Sequence, residues 1–269
     1  MAIGLNLQYG LMRILNVSHG EFLMLGAYLT YWAFIVTGAN PLLVLPAVLL
    51  MLFLVGLGVH RLCFHRLAET TPEVEAFEAR SLLVGFGLMF LVQNVALLIW
   101  GADLRGYQYL AGNVSVGGLE LTANRLVAFA AALAFSLGLM ILLRTTLLGK
   151  AVRAMMQSPT GARLVGIDVA RLHPAVFGVG IALAGAAGAL LSMVFEISPS
   201  MGEPYTVTAL IVITLGGFGN VGGSLVAGLF LGVIEALGTH LTSPSLRMVL
   251  SYGVFILVLV SRPHGLFTR

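Results

Sequence analysis

The chain has 269 residues, of which 59% are apolar and only 9% are charged, with 14 Lys and Arg against 11 Asp and Glu. A soluble domain carries about a quarter charged residues, and a surface this poor in charge would expose large apolar patches that drive association. A water-soluble globular enzyme is thereby excluded, and the mean hydropathy of +1.01 fits a chain solvated by lipid.

A helical crossing takes about 20 mostly apolar residues, so the length holds roughly seven to nine crossings and no separate soluble domain. The 33 glycines suit helices packed closely in lipid. The long continuous apolar runs do not read as the short alternating strands of a membrane barrel. Cys63 is the one cysteine, so no disulfide can close within the chain.

In chain order, residues 2–15 form a short apolar run, 20–38 a full one, and 41–60 a third after Asn40-Pro41. Residues 61–80 are charge-rich. Residues 82–100 cross again, 101–124 form a Gly-rich polar loop, and 125–143 cross. Residues 144–172 are the longest polar stretch, followed by a crossing at 174–195. Residues 205–219 are apolar but short and end in Gly216-Gly217-Phe218-Gly219-Asn220; the runs 221–240 and 246–261 complete the set. The expected fold is an all-α polytopic transmembrane bundle of about eight spans. It forms a single transmembrane domain over 1–269, with a broken or re-entrant helix near 205–219 as the alternative to a crossing there. Such a break is tolerated only under a cover of protein or in a water-filled cavity.

Placing the loops 61–80 and 144–172 and the C-terminal tail together gathers Arg61, Arg66, Arg80, Arg144, Lys150, Arg153, Arg163, Arg171, Arg262 and Arg269 on one side. Arg105, Arg125 and Arg247 remain opposite. Basic residues favour the cytoplasmic side, so the first set is cytoplasmic and Asn16–Glu21 lies near that face.

Polar residues inside spans are costly and usually face a partner or cavity. Asn16, Ser18, His19, Gln93, Asn94, Asn220 and Glu235 are the candidates to line a cavity or path through the bundle, the alternative being a hydrogen bond to a neighbouring helix. His19 and Glu21 read as a hydrogen-bonding pair at a helix start; the spacing of His and Cys offers no metal site. Asn16-Val17-Ser18-His19-Gly20 and Asn220-Val221-Gly222-Gly223-Ser224 are weakly alike, each opening an apolar run, as in transporters with internal repeats.

Residues 149–168 read GKAVRAMMQSPTGARLVGID. Ser158 is placed to cap a helix starting at Pro159, and the mixed polarity suits a short helix lying on the membrane or docking into a partner. From here the chain resembles the permease subunits of branched-chain amino-acid ATP-binding cassette (ABC) importers. The resemblance rests on this stretch, then LAGAAGALL, ISPSMG, LGGFGNVGGSLVAGLFLGVIEAL and SRPHGLF in order. Ahead of it stand LNVSHGEFLMLGAY and Gln93-Asn94 before Trp100-Gly101. Members of that family carry a complete span before the segment matching LNVSHGE, whereas Met1 stands only about 15 residues before it here, which leaves a truncated, a misassigned and a truly short start all open. The family also has a small residue where Arg13 stands.

The resemblance implies a coupling helix that sits in a cleft of an ATP-binding subunit, with Thr160-Gly161-Ala162, three residues and Gly166 in the place of its loose signature. Lys150, Arg153, Gln157, Ser158, Thr160, Gly161, Ala162, Arg163, Gly166 and Asp168 are the expected coupling residues, with the small ones allowing close approach. It implies no catalytic residue, metal or cofactor in this chain, with ATP and Mg on two partner ATP-binding cassette subunits. It further implies a second related permease subunit, an extracytoplasmic solute-binding protein and residence in the cytoplasmic membrane, and no nucleic acid. The implied solutes are branched-chain amino acids first, with urea, amides or small aromatic acids as the runner-up. A self-contained secondary transporter or channel is the rival class, resting on Glu235 and Gly216–Gly223.

Overall fold

Long apolar runs leave the backbone one way to satisfy its own hydrogen bonds in lipid without strand partners, the α-helix. The structure, a computed structural model describing residues 1–71, 73–116, 119–241 and 247–262, is accordingly almost all helix. The helices α1 (Ala2–Met12), α2 (His19–Thr37) and α3 (Pro41–Val59) come first. A π-helical turn (His60–Phe64) then joins α3 to α4 (His65–Thr70), and α5 (Val74–Trp100) follows. An antiparallel hairpin of β1 (Asn113–Val116) and β2 (Leu119–Thr122) precedes α6 (Ala123–Thr145), α7 (Leu147–Gln157) and α8 (Pro159–Leu164). The chain continues through α9 (Val169–Leu191), α10 (Gly202–Gly216), α11 (Val221–Leu241) and α12 (Arg247–Ser261).

Among the described residues six helices are long and apolar enough to cross a membrane: α2, α3 continued into α4, α5, α6, α9 and α11. The apolar α12 and α10, of 15 residues each, and α1, of 11, are shorter. This is the all-α polytopic bundle expected, with a span count near the anticipated eight.

Two stretches differ from their sequence reading. Residues 61–80 are not a long loop: helix continues to Thr70 and resumes at Val74. An apolar-run criterion stops at the first charge, whereas Arg and Glu are good helix formers and carry a helix out past the apolar layer. Residues 101–124 hold the β1–β2 hairpin, with Asn113 paired to Thr122 and Ser115 to Glu120. The motif SRPHGLF and Arg269 fall mostly in residues 263–269, and Gly117 and Gly118 likewise lie outside the described residues.

Contacts between loops establish the two ends. Tyr109 Oη donates to Asn40 Oδ1 at 2.7 Å, Asn124 Nδ2 to the Met193 carbonyl at 2.8 Å, and Arg105 and Ile197 form a β-bridge. At the other end, His65 and Glu69 share a cavity wall with Pro159, Arg163 and Asp168. The two basic loops therefore lie together, as the charge bias requires.

The helix α9 sits at the centre, packed by α1, α2 and α3. Two-thirds of its apolar window is buried, against 6% for α6 and 11% for α5. Its small residues make this possible. A Cβ on Gly188 would collide with the Leu23 carbonyl, one on Gly185 with Leu52, and one on Gly180 with the Gln8 amide. The partner helices answer with Gly4 against Gly180, Gly26 against Gly185 and Gly56 against Gly178. With side chains absent on both sides, the backbones meet.

Gly188→Ala is expected to cost about 1–3 kcal/mol by overpacking, because the obstacle is backbone. Gly138→Ala, whose Cβ meets nothing within 4 Å, serves as the control. The check is the melting temperature of the detergent-solubilised chain, which should fall for the first variant and hold for the second. Equal melting temperatures would show that α2 and α9 do not approach this closely.

Candidate functional site

The expected coupling segment, residues 149–168, is built from two capped helices. In α7, Gly149, Val152 and Met155 are buried while Lys150, Arg153 and Gln157 are exposed, the one-sided pattern expected of an amphipathic helix. Thr146 Oγ1 caps α7 by accepting from Gly149 N at 3.0 Å, and Gly149 packs on the Leu143 backbone. Arg153 Nη2 donates to the Arg144 carbonyl at 3.3 Å, which ties α7 back to α6.

Ser158 caps α8 as its position predicts: Oγ accepts from Gly161 N at 3.1 Å, with Pro159 as the first helical residue. The helix ends at Gly166, whose φ of +82° is a left-handed conformation that glycine adopts without penalty. Ile167 N reaches back to the Ala162 carbonyl at 3.0 Å. Asp168 then caps α9, accepting from Arg171 N at 3.2 Å and pairing with Arg171 Nε at 3.0 Å.

The ten expected coupling residues thus divide. Lys150, Arg153, Gln157, Thr160 and Arg163 are exposed, and Gly161 is half-buried. Ser158, Gly166 and Asp168 are exposed but are used in caps and turns. Ala162 is 2% exposed, so its small size serves packing within the chain. Sequence reasoning passed over Leu164 and Val165, which are 84% and 75% exposed at the tip of α8. Two bare aliphatic side chains beside a capped turn are an unpartnered apolar patch.

A second set of polar residues holds the short helices together. Asn6, fully buried in α1, donates through Nδ2 to the carbonyls of Gly217 and Asn220, both at 3.1 Å, and to Ser224 Oγ. Its Oδ1 accepts from Gly219 N at 2.6 Å. One amide thereby satisfies the turn between α10 and α11, where Gly217 and Gly219 have φ of +85° and +79°. Gln8, two positions further along α1, donates to the Phe177 carbonyl at 2.9 Å. Neither residue stood out in the sequence; the available signal was two amides two positions apart in an otherwise apolar run.

The expected path residues do not converge. Asn16, Ser18 and His19 are fully buried at the start of α2. Asn16 donates to Gln8 Oε1 at 3.4 Å and accepts from Ser18 Oγ at 2.6 Å, while His19 Nε2 lies 3.4 Å from the Met1 carbonyl. Amides in an apolar interior need partners, and in this conformation these find them within the chain. The expected His19–Glu21 hydrogen-bonding pair is a correction. Both carboxylate oxygens of Glu21 lack a hydrogen-bond partner, and the side chain lies against Gly202. Asn220 Oδ1 accepts from Gly223 N at 2.9 Å, a local cap on α11.

Gln93 and Asn94 lie on the sparsely covered α5. Asn94 is exposed and bonds only its own helix, at Phe90. Glu235 is 7% exposed, accepts from Ser251 Oγ, and lines a cavity of about 270 Å³ with Glu196, Tyr205 and Tyr252. The features claimed for a channel are separate: Gly216–Gly223 is a tight helix-to-helix contact, remote in its bonding from Glu235. Arg13 takes the left-handed conformation at φ +55° that ends α1 and approaches Glu78 at 3.8 Å. A left-handed position favours a small residue, which accounts for the expectation of one there.

Comparison with known proteins places this geometry. A family profile described as "Branched-chain amino acid transport system / permease component" matches residues 1–259. The high-affinity branched-chain amino acid transport system permease protein BraD of Pseudomonas aeruginosa is 26% identical, over all of this chain and 91% of its own length. The corresponding LivH protein of Escherichia coli is 28% identical, over all of this chain and 90% of its length. A probable branched-chain amino acid transport permease, LivH of Methanocaldococcus jannaschii, is 26% identical over 99% of this chain and 87% of its own. No solved structure matches the chain.

Asn6→Ala removes four bonds to the 217–224 segment. At about 0.5–1.5 kcal/mol for each bond, amide exchange at Gly219 and its neighbours should rise by roughly tenfold or more. Hydrogen exchange of the purified chain reads this directly, with the amides of α9 as the unchanged reference. Unaltered protection at Gly219 would show that α1 does not secure the turn.

Proposed function

The chain belongs to the branched-chain amino acid transport permease family, and from that premise we propose that it is one transmembrane subunit of an ATP-binding cassette importer for branched-chain amino acids. It is a multi-pass membrane protein, and the reading places it in the cytoplasmic membrane of a bacterium or archaeon. ATP and Mg²⁺ bind to two partner ATP-binding subunits, and this chain contributes no catalytic residue. A second, related permease completes the path, and an extracytoplasmic binding protein delivers the solute to the end carrying the 101–124 and 192–201 loops.

The observation that carries the coupling role is the tip of α8, where Arg163, Leu164 and Val165 stand exposed at the end of the bundle that gathers the basic loops. In this reading the apolar pair enters a cleft of the ATP-binding subunit while Lys150, Arg153, Gln157, Thr160, Gly161 and Arg163 line the rim. Closure of the ATP-binding subunits displaces α8. The Gly166 turn and the Asp168 cap pass that displacement to α9, and α9 carries α1, α2 and α3 with it through backbone contacts. Rigid elements in close contact transmit motion as units.

Branched-chain amino acids are favoured by the named relatives and by spans without a dense charge cluster. Amides, urea and small aromatic acids are the runner-up solutes within the same class.

Co-expression with its ATP-binding subunits provides the test. Affinity purification of this chain should recover them, and Arg163→Glu, Gly161→Trp or Leu164→Asp with Val165→Asp should lower recovery by about tenfold or more, as loss of a buried interface anchor does. Reconstituted vesicles should take up leucine only with ATP. Uptake by this chain alone, without ATP, would overturn the reading in favour of a self-contained transporter.

A further inference from the structure

A cavity of about 860 Å³ lies where the end of α1, the π-helical turn after α3, the start of α5 and the α8–α9 junction meet. Small-molecule sites occupy roughly 300–1,000 Å³. The floor is apolar, formed by Ile14, Phe64, Phe77 and Met155, and the polar wall carries His60, His173, Arg163 and Glu69.

Several observations mark this wall as incomplete. His60 is 5% exposed, yet its Nδ1 has no hydrogen-bond partner, and the same holds for the buried Nε2 of His173. The two rings stand 6.5 Å apart at 74°. Buried polar atoms are nearly always satisfied, so two orphans on one wall ask for a partner from outside the chain. Arg163 forms no ion pair among the described residues, whereas Arg13, His65 and Arg171 each have an acidic neighbour. The π-helical turn is itself a device that recurs at functional sites. Here it turns both His60 and Phe64 inward onto Phe177. No group of three His, Cys, Asp or Glu among the described residues is spaced for a metal, so the imidazoles act as hydrogen-bonding groups.

We propose that this cavity binds a small zwitterionic amino acid with an apolar side chain, entering from the cytoplasmic side, and that its occupancy slows the importer. The proposal rests on the functional reading above, since the solute accumulated by the importer is the ligand that reports its own level. The ligand carboxylate meets the Arg163 guanidinium, which can grip it with two parallel donors. Its ammonium takes the place of His65 Nε2, 3.6 Å from Glu69 Oε1, in donating to the Glu69 carboxylate, and donates also to an imidazole nitrogen, directly or through an ordered water. Its side chain lies on Phe64, Phe77 and Met155. A ligand held this way bridges α8 to the π-helical turn and α9. It also draws Arg163 away from the rim contact with the ATP-binding subunit, so the coupling segment is restrained when cytoplasmic solute is high.

The test uses the whole importer in proteoliposomes, with ATP and Mg²⁺ in the lumen and labelled leucine with its binding protein outside. Unlabelled L-leucine is added to the lumen, with glycine at the same concentration as the control. Luminal leucine should lower the initial uptake rate by at least about fivefold, the low end of usual allosteric coupling, and glycine should not. His173→Leu and, independently, Glu69→Gln should each need about tenfold more luminal leucine for the same slowing, the effect of losing one hydrogen bond to a charged group. Each variant is read against its own rate without luminal leucine. ATP-driven uptake that luminal leucine does not slow overturns this proposal and leaves the functional reading standing. Equal slowing of wild type and both variants also overturns it, because the effect then lies on the translocation path. Absence of ATP-driven uptake in the wild type overturns the functional reading and this proposal together.

Discussion

The architecture depends on backbone-to-backbone contact along α9. In lipid the hydrophobic effect gives helices little reason to associate, so close van der Waals fit has to supply it. The glycines at 178, 180, 185 and 188 remove side chains on faces that meet α1, α2 and α3, and Gly4, Gly26 and Gly56 remove them from the other side. A contact this close has little room for sliding. It follows that α1, α2, α3 and α9 behave as one body, and that α5 and α6, with 11% and 6% of their windows buried, stand outside it.

The short helices impose a second constraint. Neither α1 nor α10 is long enough to leave its last carbonyls at a wet interface, and an unsatisfied backbone group in an apolar layer costs several kcal/mol by order of magnitude. Asn6 answers this for the α10–α11 turn by supplying donors and an acceptor to three backbone groups at once. Both short helices lead through a turn into a long one, α1 into α2 and α10 into α11, and the weakly similar segments at Asn16 and Asn220 occupy those two turns. The shared plan stops at that connection: Asn220 caps α11 with its own side chain, whereas at the start of α2 Gly20 N donates to Thr206 Oγ1 of α10.

The helix-scale features were legible because they follow from composition. Apolar length marked the spans, basic residues marked one end, and Ser158 before Pro159 marked the start of α8. What the sequence hid were features decided by packing. Charged residues at 61–80 looked like loop, yet they are helical because nothing in Arg or Glu opposes a helix. Asn16, Ser18 and His19 looked like path residues, because a polar residue in a span carries the same signature whether it faces a solute or a neighbouring helix. Asn6 and Gln8 were invisible for the converse reason: in a run too short to be a span, polarity drew no notice. Ala162 shows the limit of motif reading, for a small residue in a coupling signature serves inside the chain as readily as outside it.

The rigid body and the exposed helices together bear on where a solute can pass. A path through the α1–α2–α3–α9 core would have to part glycine contacts that have no slack, and Asn6, Gln8, Asn16 and Ser18 there already hold partners within the chain. Among the candidate spans α5 and α6 are the least covered by this chain, and Asn94 stands on one of them, bonded to its own helix at Phe90. In the proposed importer a second permease faces such a surface. A path between two chains can open by rocking one rigid body against another without breaking either. Under the proposed function the 149–168 segment has a direct connection to that body, since α8 leads through Gly166 and the Asp168 cap into α9, the helix to which the body is fastened.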